Sequence, residues 1–258
     1  MRGIDLKVII GGMILLFTDF GYDGPYVGQM KAVLAEAAPG VPVIDLMHDA
    51  PAHDPCAAAY LFAALTPELP SSAICVAVVD PGVGSDRPPV ALQADGRWFV
   101  GPDNGLFEIL QRRADAARQW TIIWRPEHLS RSFHGRDLFA PVAARLALGE
   151  GPPGDAYPST WREASSRPGA EWPDDRAAVV YIDRFGNVMT GLRAALFDES
   201  HEIIAGDARV RHAAVFSDVP PGRVFWYGNS CGLIEISVNR GSAEATCRLK
   251  IGDVIAAA

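Results

Sequence analysis

The chain has 258 residues, 49% of them hydrophobic and 21% charged, with a formal net charge of -8. That is enough apolar material for a sizeable core, in one large domain or two modest ones. The acidic balance and the lack of a basic cluster exclude a protein that holds nucleic acid through many phosphate contacts. Cys56, Cys75, Cys231 and Cys247 lie far apart, which reads as structural thiols in a reducing, cytoplasmic setting.

Arg2 and Lys7 precede an apolar run, Val8 to Phe17, that superficially resembles a signal peptide. No small-x-small cleavage site follows, and the run is too short to span a membrane. Residues 1–12 are expected to be an extension, with Met13 as natural a start as Met1. Met13–Phe17 is expected to be the first buried strand. Gly24-Pro25 opens a helix, with apolar residues from Tyr26 to Ala37 at helical spacing. Strand Val41–Leu46 follows, then Asp54-Pro55 starts a helix over Cys56–Leu65. Ala73–Val79 is the third strand. Shorter strands are expected at Val90–Gln93, Trp98–Val100 and Trp120–Ile123, with a helix over Gly105–Arg113 among them. A helix over Asp137–Leu148 ends at Gly149. This alternation predicts an α/β domain over 13–150 with a largely parallel sheet covered on both faces.

Residues 151–176 are rich in proline and glycine and read as a linker. Beyond it, short strands are expected at Ala178–Ile182, Val188–Leu192, Ile203–Ala205, Arg209–Val215, Val224–Tyr227, Leu233–Val238 and Thr246–Ile251. Turns such as Phe185-Gly186-Asn187 separate them. This pattern predicts a small β-barrel or sandwich over 177–258.

Three strands of the first half end in polar groups: Thr18-Asp19, His48-Asp49 and Asp80. In an open α/β sheet, ligands bind beyond the carboxyl ends of the strands. Val79-Asp80-Pro81-Gly82-Val83-Gly84 places a carboxylate on such an end, with Arg87 seven residues on. Phe133-His134-Gly135-Arg136-Asp137 again sets an ionisable group and a glycine before a helix. Together these predict an enzyme site holding Asp80, Arg87 and His134. His48, Asp49, His53, Asp54, Asp80 and His134 include possible metal ligands, but their spacing is not a zinc signature, and no metal is expected. A Gly-x-Ser-x-Gly elbow, a P-loop and a Gly-x-Gly-x-x-Gly turn after the first strand are all missing. In the second half, Asp183 to Asn187 and Tyr227 to Gly232 sit on turns. They suit either turn chemistry or a polar and aromatic wall for a planar ligand.

Several of these motifs occur together and in order. They are Thr18-Asp19-Phe20-Gly21, Asp80 to Gly84 with Arg87, Gly101-Pro102-Asp103-Asn104-Gly105, Phe133 to Pro141, Asp183 to Asn187, and Asn229-Ser230-x-Gly232 with Glu235. The set resembles the S-adenosyl-L-methionine (SAM) hydroxide adenosyltransferases, the adenosine-forming SAM hydrolases related to the bacterial fluorinase and chlorinase. The resemblance implies a Rossmann-like α/β/α domain, a C-terminal β-barrel domain, and a homotrimer with the site between subunits. It implies that SAM is the substrate, adenosine a product, and that no cofactor is used. Asp80, Arg87 and His134 fall on the family's hydrolytic triad, and Asp19 falls where the ribose diol is gripped. Asp183, Phe185, Asn187, Tyr227, Ser230 and Glu235 fall on the substrate wall. Two positions depart from the pattern: Gly191 stands where an asparagine is usual, and Pro88 where a second basic residue is common. A SAM-dependent halogenase and a non-catalytic SAM or adenosine sensor are the alternatives that this resemblance leaves.

Overall fold

The structure is a computed structural model that describes residues 12–151 and 167–257. Residues 1–11 of the expected extension and 152–166 of the expected linker lie outside the described residues. The described chain falls into two compact units. One takes residues up to Pro55 together with Leu69–Ala170, the other Cys56–Glu68 together with Glu171 onward.

The first unit is built on β1 (Met13–Thr18), β2 (Val43–Met47), β3 (Ala73–Val78), β4 (Pro89–Ala94), β5 (Arg97–Pro102) and β6 (Ala117–Thr121). They form one sheet in the order β2-β1-β3-β5-β4-β6. β2, β1, β3 and β5 are parallel neighbours, while β4 runs antiparallel to both β5 and β6. The reversal has a local cause. Asp95 (φ 47°) and Gly96 (φ 83°) make a two-residue left-handed connection, the geometry that closes a hairpin.

α1 (Tyr26–Ala37) and α4 (Ala140–Ala147) cover one face of the sheet. Met30, Leu34, Val142 and Leu146 pack there with Ile14, Leu16, Ile74 and Val76. Leu15, Phe17, Cys75 and Ala77, which point to the opposite face, are buried as well. Burial on both faces explains why β3 is a continuous apolar run rather than an alternating one. Each fully buried side chain of this size contributes about 1.5–3 kcal/mol. Burial also pushes the Cys75 thiol up to about 12, so it stays protonated and inert. A short helix, α3 (Glu108–Arg113), follows β5. Its buried Glu108 is held by Arg112 at 3.0 Å and by Arg167 at 2.8 Å.

The second unit begins with α2 (Pro55–Leu65). Every residue from Ala57 to Ala64 is buried, so this helix is apolar all round. The Tyr60 hydroxyl donates to the Pro173 carbonyl, and Arg176 reaches Cys56 Sγ, which ties α2 to the start of the C-terminal strands. Those strands are β7 (Arg176–Ile182), β8 (Val188–Arg193), β9 (Ile203–Ala205), β10 (Ala208–Val210), β11 (Val224–Gly228), β12 (Leu233–Val238) and β13 (Ile255–Ala257). They form two antiparallel sheets, β11-β12-β8-β7 and β10-β9-β13, around a core that includes Val179, Val188, Ile203, Trp226, Ile236 and Ile255. Isolated pairings Ala178–Val254 and His212–Trp226 connect the sheet edges. Gly191 faces Arg176 across the β7–β8 ladder, and a Cβ there would lie 2.8 Å from the Arg176 carbonyl oxygen. The close strand approach accounts for glycine at this position.

Two expectations are corrected. Thr246–Ile251 is not a strand. The hydroxyl of Ser242 accepts from the Ala245 amide at 3.0 Å and caps α5 (Ala243–Cys247), which then ends at left-handed Arg248 (φ 55°). The strand expected over Arg209–Val215 stops at Val210, and Phe216–Asp218 forms a helical turn.

Candidate active site

β3 ends at Val78, and Asp80 follows at the start of a tight loop. The Val83 amide bonds back to the Asp80 carbonyl at 3.2 Å, and the Ser85 amide to the Gly82 carbonyl at 3.1 Å. Gly84 takes φ 82°, and a Cβ there would lie 2.4 Å from the Arg131 carbonyl oxygen, so only glycine fits without a shift. The loop turns Arg87 back onto the residue that began it. Arg87 Nε donates to Asp80 Oδ1 at 2.8 Å and Nη2 donates to Oδ2, a bidentate fork. The pair is nearly buried, with side chains 9% and 4% exposed. Asn104 supports the same strand end by donating to the Val79 carbonyl at 2.9 Å.

Arg87 Nη2 also lies 3.1 Å from His134 Nδ1. A guanidinium only donates, so Nδ1 must offer its lone pair and the ring proton sits on Nε2. Burial, and then the positive charge of Arg87, hold His134 below the ordinary histidine range, which keeps the ring neutral. His134 precedes a π-helical turn, Gly135–Phe139, that runs into α4. Such turns re-aim side chains within a helix. Phe139 meets the His134 ring edge-on and also lies beneath the Arg87 guanidinium, at 5.4 Å.

Asp19 follows β1. Its carboxylate is 8% exposed and accepts from the His53 amide at 3.0 Å. Asp19, Asp80 and His134 all line one open cavity of about 560 Å³ in the first unit. Phe20, Tyr26 and Phe133 form its apolar side. Arg87 does not line it and stands behind Asp80 and His134. The sequence thus placed all four polar residues at one site, but not the order in which they face it.

The second unit carries the other predicted residues. Asp183 Oδ1 accepts from the amides of Phe185 at 2.8 Å and Asn187 at 2.9 Å, and Oδ2 accepts from Asn187 Nδ2 at 2.9 Å. Phe185, 65% exposed, projects from this turn. Tyr227 and Glu235 are direct cross-strand neighbours on β11 and β12. The buried Glu235 accepts from the Tyr227 hydroxyl at 2.6 Å and from Asn229 Nδ2 at 2.9 Å. Burial, and then the bond to Glu235, push the Tyr227 phenol well above its usual range. Asn229 Oδ1 takes the Cys231 and Leu233 amides, each at 3.0 Å, and the turn presents Ser230 to solvent. Glu235 therefore lies beneath the turn that it orders. Among the described residues, no three His, Cys, Asp or Glu side chains are grouped as metal ligands would be. No helix among them is long and apolar enough to cross a membrane.

A mixed α/β unit with a partly buried carboxylate–guanidinium–imidazole cluster at strand ends defines a class: a small-molecule enzyme with polar chemistry at the base of an open cavity. Residues 14–155 match the SAM hydroxide adenosyltransferase N-terminal domain, and 177–256 match the C-terminal domain of the same family. The chain belongs to the SAM hydroxide adenosyltransferase family. It is similar to a protein of Thermus thermophilus named (R)-S-adenosyl-L-methionine hydrolase, 42% identical over 253 residues, or 93% of this chain and 96% of the other. A protein of the same name from Salinispora arenicola is 39% identical over 92% of this chain and 94% of its own. A crystal structure of an uncharacterized conserved protein from Thermotoga maritima superposes with a TM-score of 0.82 at 29% identity, covering 95% of this chain and 99% of that one.

Proposed function

We propose that this protein hydrolyses SAM to adenosine and L-methionine, and that it takes the (R) sulfonium epimer specified by its relatives' name. The observation that carries the reading is the Asp80–Arg87–His134 cluster, with two of its members facing the cavity that Asp19 also lines. The sulfonium makes methionine a good leaving group, so C5′ of the ribose can be attacked in line without an acid. The weak point is the nucleophile. Neutral His134 offers Nε2–H to a water oxygen, and the Asp80 carboxylate accepts one of the water's protons. The remaining lone pair forms the C5′–O bond as the C5′–S bond breaks and its electrons pass to sulfur. His134 Nδ1, held by Arg87, is not the base. Arg87 holds the Asp80 carboxylate in place and keeps His134 in the required tautomer.

Asp19 binds the ribose diol, because a carboxylate accepts two hydroxyl bonds at once. Asp183, Phe185, Asn187, Tyr227 and Ser230 form the wall around the rest of the substrate, and Glu235 acts through Tyr227 and Asn229. We read the enzyme as cytoplasmic, free of cofactor and trimeric, with each site built from the first domain of one subunit and the second of its neighbour. Domain limits of 13–150 and 177–258, with 151–176 as linker, follow the change in sequence character. The bridged edges of the two C-terminal sheets support a barrel.

The test is mass spectrometry of protein incubated with each SAM epimer in chloride-containing, ¹⁸O-enriched water. Adenosine with ¹⁸O at the 5′ position, formed from the (R) epimer with free methionine, is expected. A 5′-chloro product overturns the role given to Asp80. Bound SAM without turnover makes the protein a sensor.

A further inference from the structure

Behind Asp19 lies a buried polar chain that the proposed reaction does not use. Thr18 and His48 are both fully buried. Thr18 Oγ1 is 2.7 Å from His48 Nδ1. On its other side the His48 ring presents Nε2 to Asp45 Oδ1 at 3.0 Å, a close contact but not an aligned hydrogen bond. Asp45 Oδ2 in turn takes Lys31 Nζ at 2.7 Å. Burial pushes the Asp45 carboxyl up, but the bond from Lys31 and the close contact with the His48 ring outweigh it and hold the group below its usual range, as an anion.

These groups fix the direction of the chain. A nitrogen lone pair aimed at a carboxylate would be repelled, so Nε2 carries the ring proton. Nδ1 is then the acceptor, and the Thr18 hydroxyl must donate to it. The hydroxyl oxygen is left free to accept the Phe20 amide, at 3.3 Å. The His48 carbonyl accepts the Gly21 amide at 2.7 Å, and the Thr18 carbonyl accepts the Ala50 amide at 3.1 Å. Asp19 is bracketed on both sides by backbone that Thr18 and His48 hold.

We propose that Thr18 and His48 are positioning residues that set the Asp19 carboxylate for the substrate ribose, with Lys31–Asp45 as the outer anchor that selects the His48 tautomer. The proposal rests on the reading of Asp19 as the ribose-binding group. A net hydrogen bond sets the scale of the effect. Thr18→Val keeps the shape and removes the donor, and raises KM for SAM roughly five- to tenfold, with kcat within about twofold. Thr18→Ser restores the wild-type value. Asp45→Ala, at a partly exposed site, raises KM in the same direction by less. In an Asp19→Ala background neither substitution adds anything, an outcome that a general loss of packing would not produce. On the unaltered protein, ring ¹⁵N spectra show His48 as the Nε2–H tautomer. An Nδ1–H tautomer, or KM unmoved by both Thr18→Val and Asp45→Ala, overturns the proposal. So does a further rise in KM from either in the Asp19→Ala background. If Asp19→Ala itself leaves KM unchanged, it is the reading of Asp19 that fails.

Discussion

Replacing Arg87 by Gln strands the Asp80 carboxylate. That side chain is 4% exposed, and both of its oxygens are bonded to Arg87. Removing one partner of a buried ion pair costs about 3–5 kcal/mol, because the remaining, nearly buried charge has lost its counter-ion. For a chain of this size each kcal/mol moves the melting point by about 2–4 °C, so a fall of roughly 6–20 °C is expected. Asp80→Asn on top of Arg87→Gln removes the orphan charge and recovers most of the loss. Urea titration and calorimetry at pH 7 measure both variants. A loss under about 1 kcal/mol, the size of an exposed pair, would refute the reasoning. So would a double variant no more stable than the single one.

Burial and Arg87 hold His134 below the ordinary histidine range, so the acid limb of kcat/KM is expected below 6.5. It moves up towards 6.5 in Arg87→Gln, where the repelling cation is gone and Asp80 still favours protonation. The same depressed pKa makes His134 contribute stability above the unfolded value, which is lost as pH falls through the folded one. His134→Ala is expected to cut kcat by about 10²–10⁴-fold while calorimetric SAM binding changes little. Equal losses in both would sink its catalytic role. Asp19→Ala is expected to weaken SAM binding with a smaller effect on kcat, and a 2′-deoxy analogue that lost nothing against wild type would contradict the assignment. Gly84→Ala forces a left-handed alanine whose Cβ lies 2.4 Å from the Arg131 carbonyl oxygen. It is expected to lower the urea midpoint by at least the equivalent of about 1–3 kcal/mol.

The strands that carry the site were legible because each is an apolar run cut short by a polar residue. β1 stopping just before Asp19 and β3 just before Asp80 can be read this way without a structure. The Asp95-Gly96 hairpin that reverses β4 also has a sequence signal, but the alternation of strands and helices outweighs it in a linear reading. Thr246–Ile251 failed because Ser242 caps a short helix, a local bond that overrides the apolar character of the segment. The direction in which Arg87 faces was not legible, since its return to Asp80 depends on the Gly84 turn packing against Arg131. The π turn after His134 has no period of its own in the sequence. Asn104 and His48 stand in visible motifs, yet only the bonds to Val79 and Thr18 show what they do.

The polarity of the cluster bears on what it can activate. Arg87 is the cation of the cluster, and its Nε and Nη2 protons are spent on Asp80 and His134, behind the cavity wall. Of the cluster, the groups turned to the cavity are a carboxylate and a neutral imidazole; Arg136, which also lines it, donates to Asp137 and Gln29. A halide needs donors and suffers from a nearby anion: at 4 Å, with an effective dielectric of 20, a carboxylate repels it by about 4 kcal/mol. That corresponds to nearly a thousandfold in occupancy. Water is favoured by both groups, because it can accept from the imidazole and donate to the carboxylate at the same time. In the proposed reaction the same ion pair therefore withholds the Arg87 charge from a halide, and the preference for water follows from how Arg87 is spent.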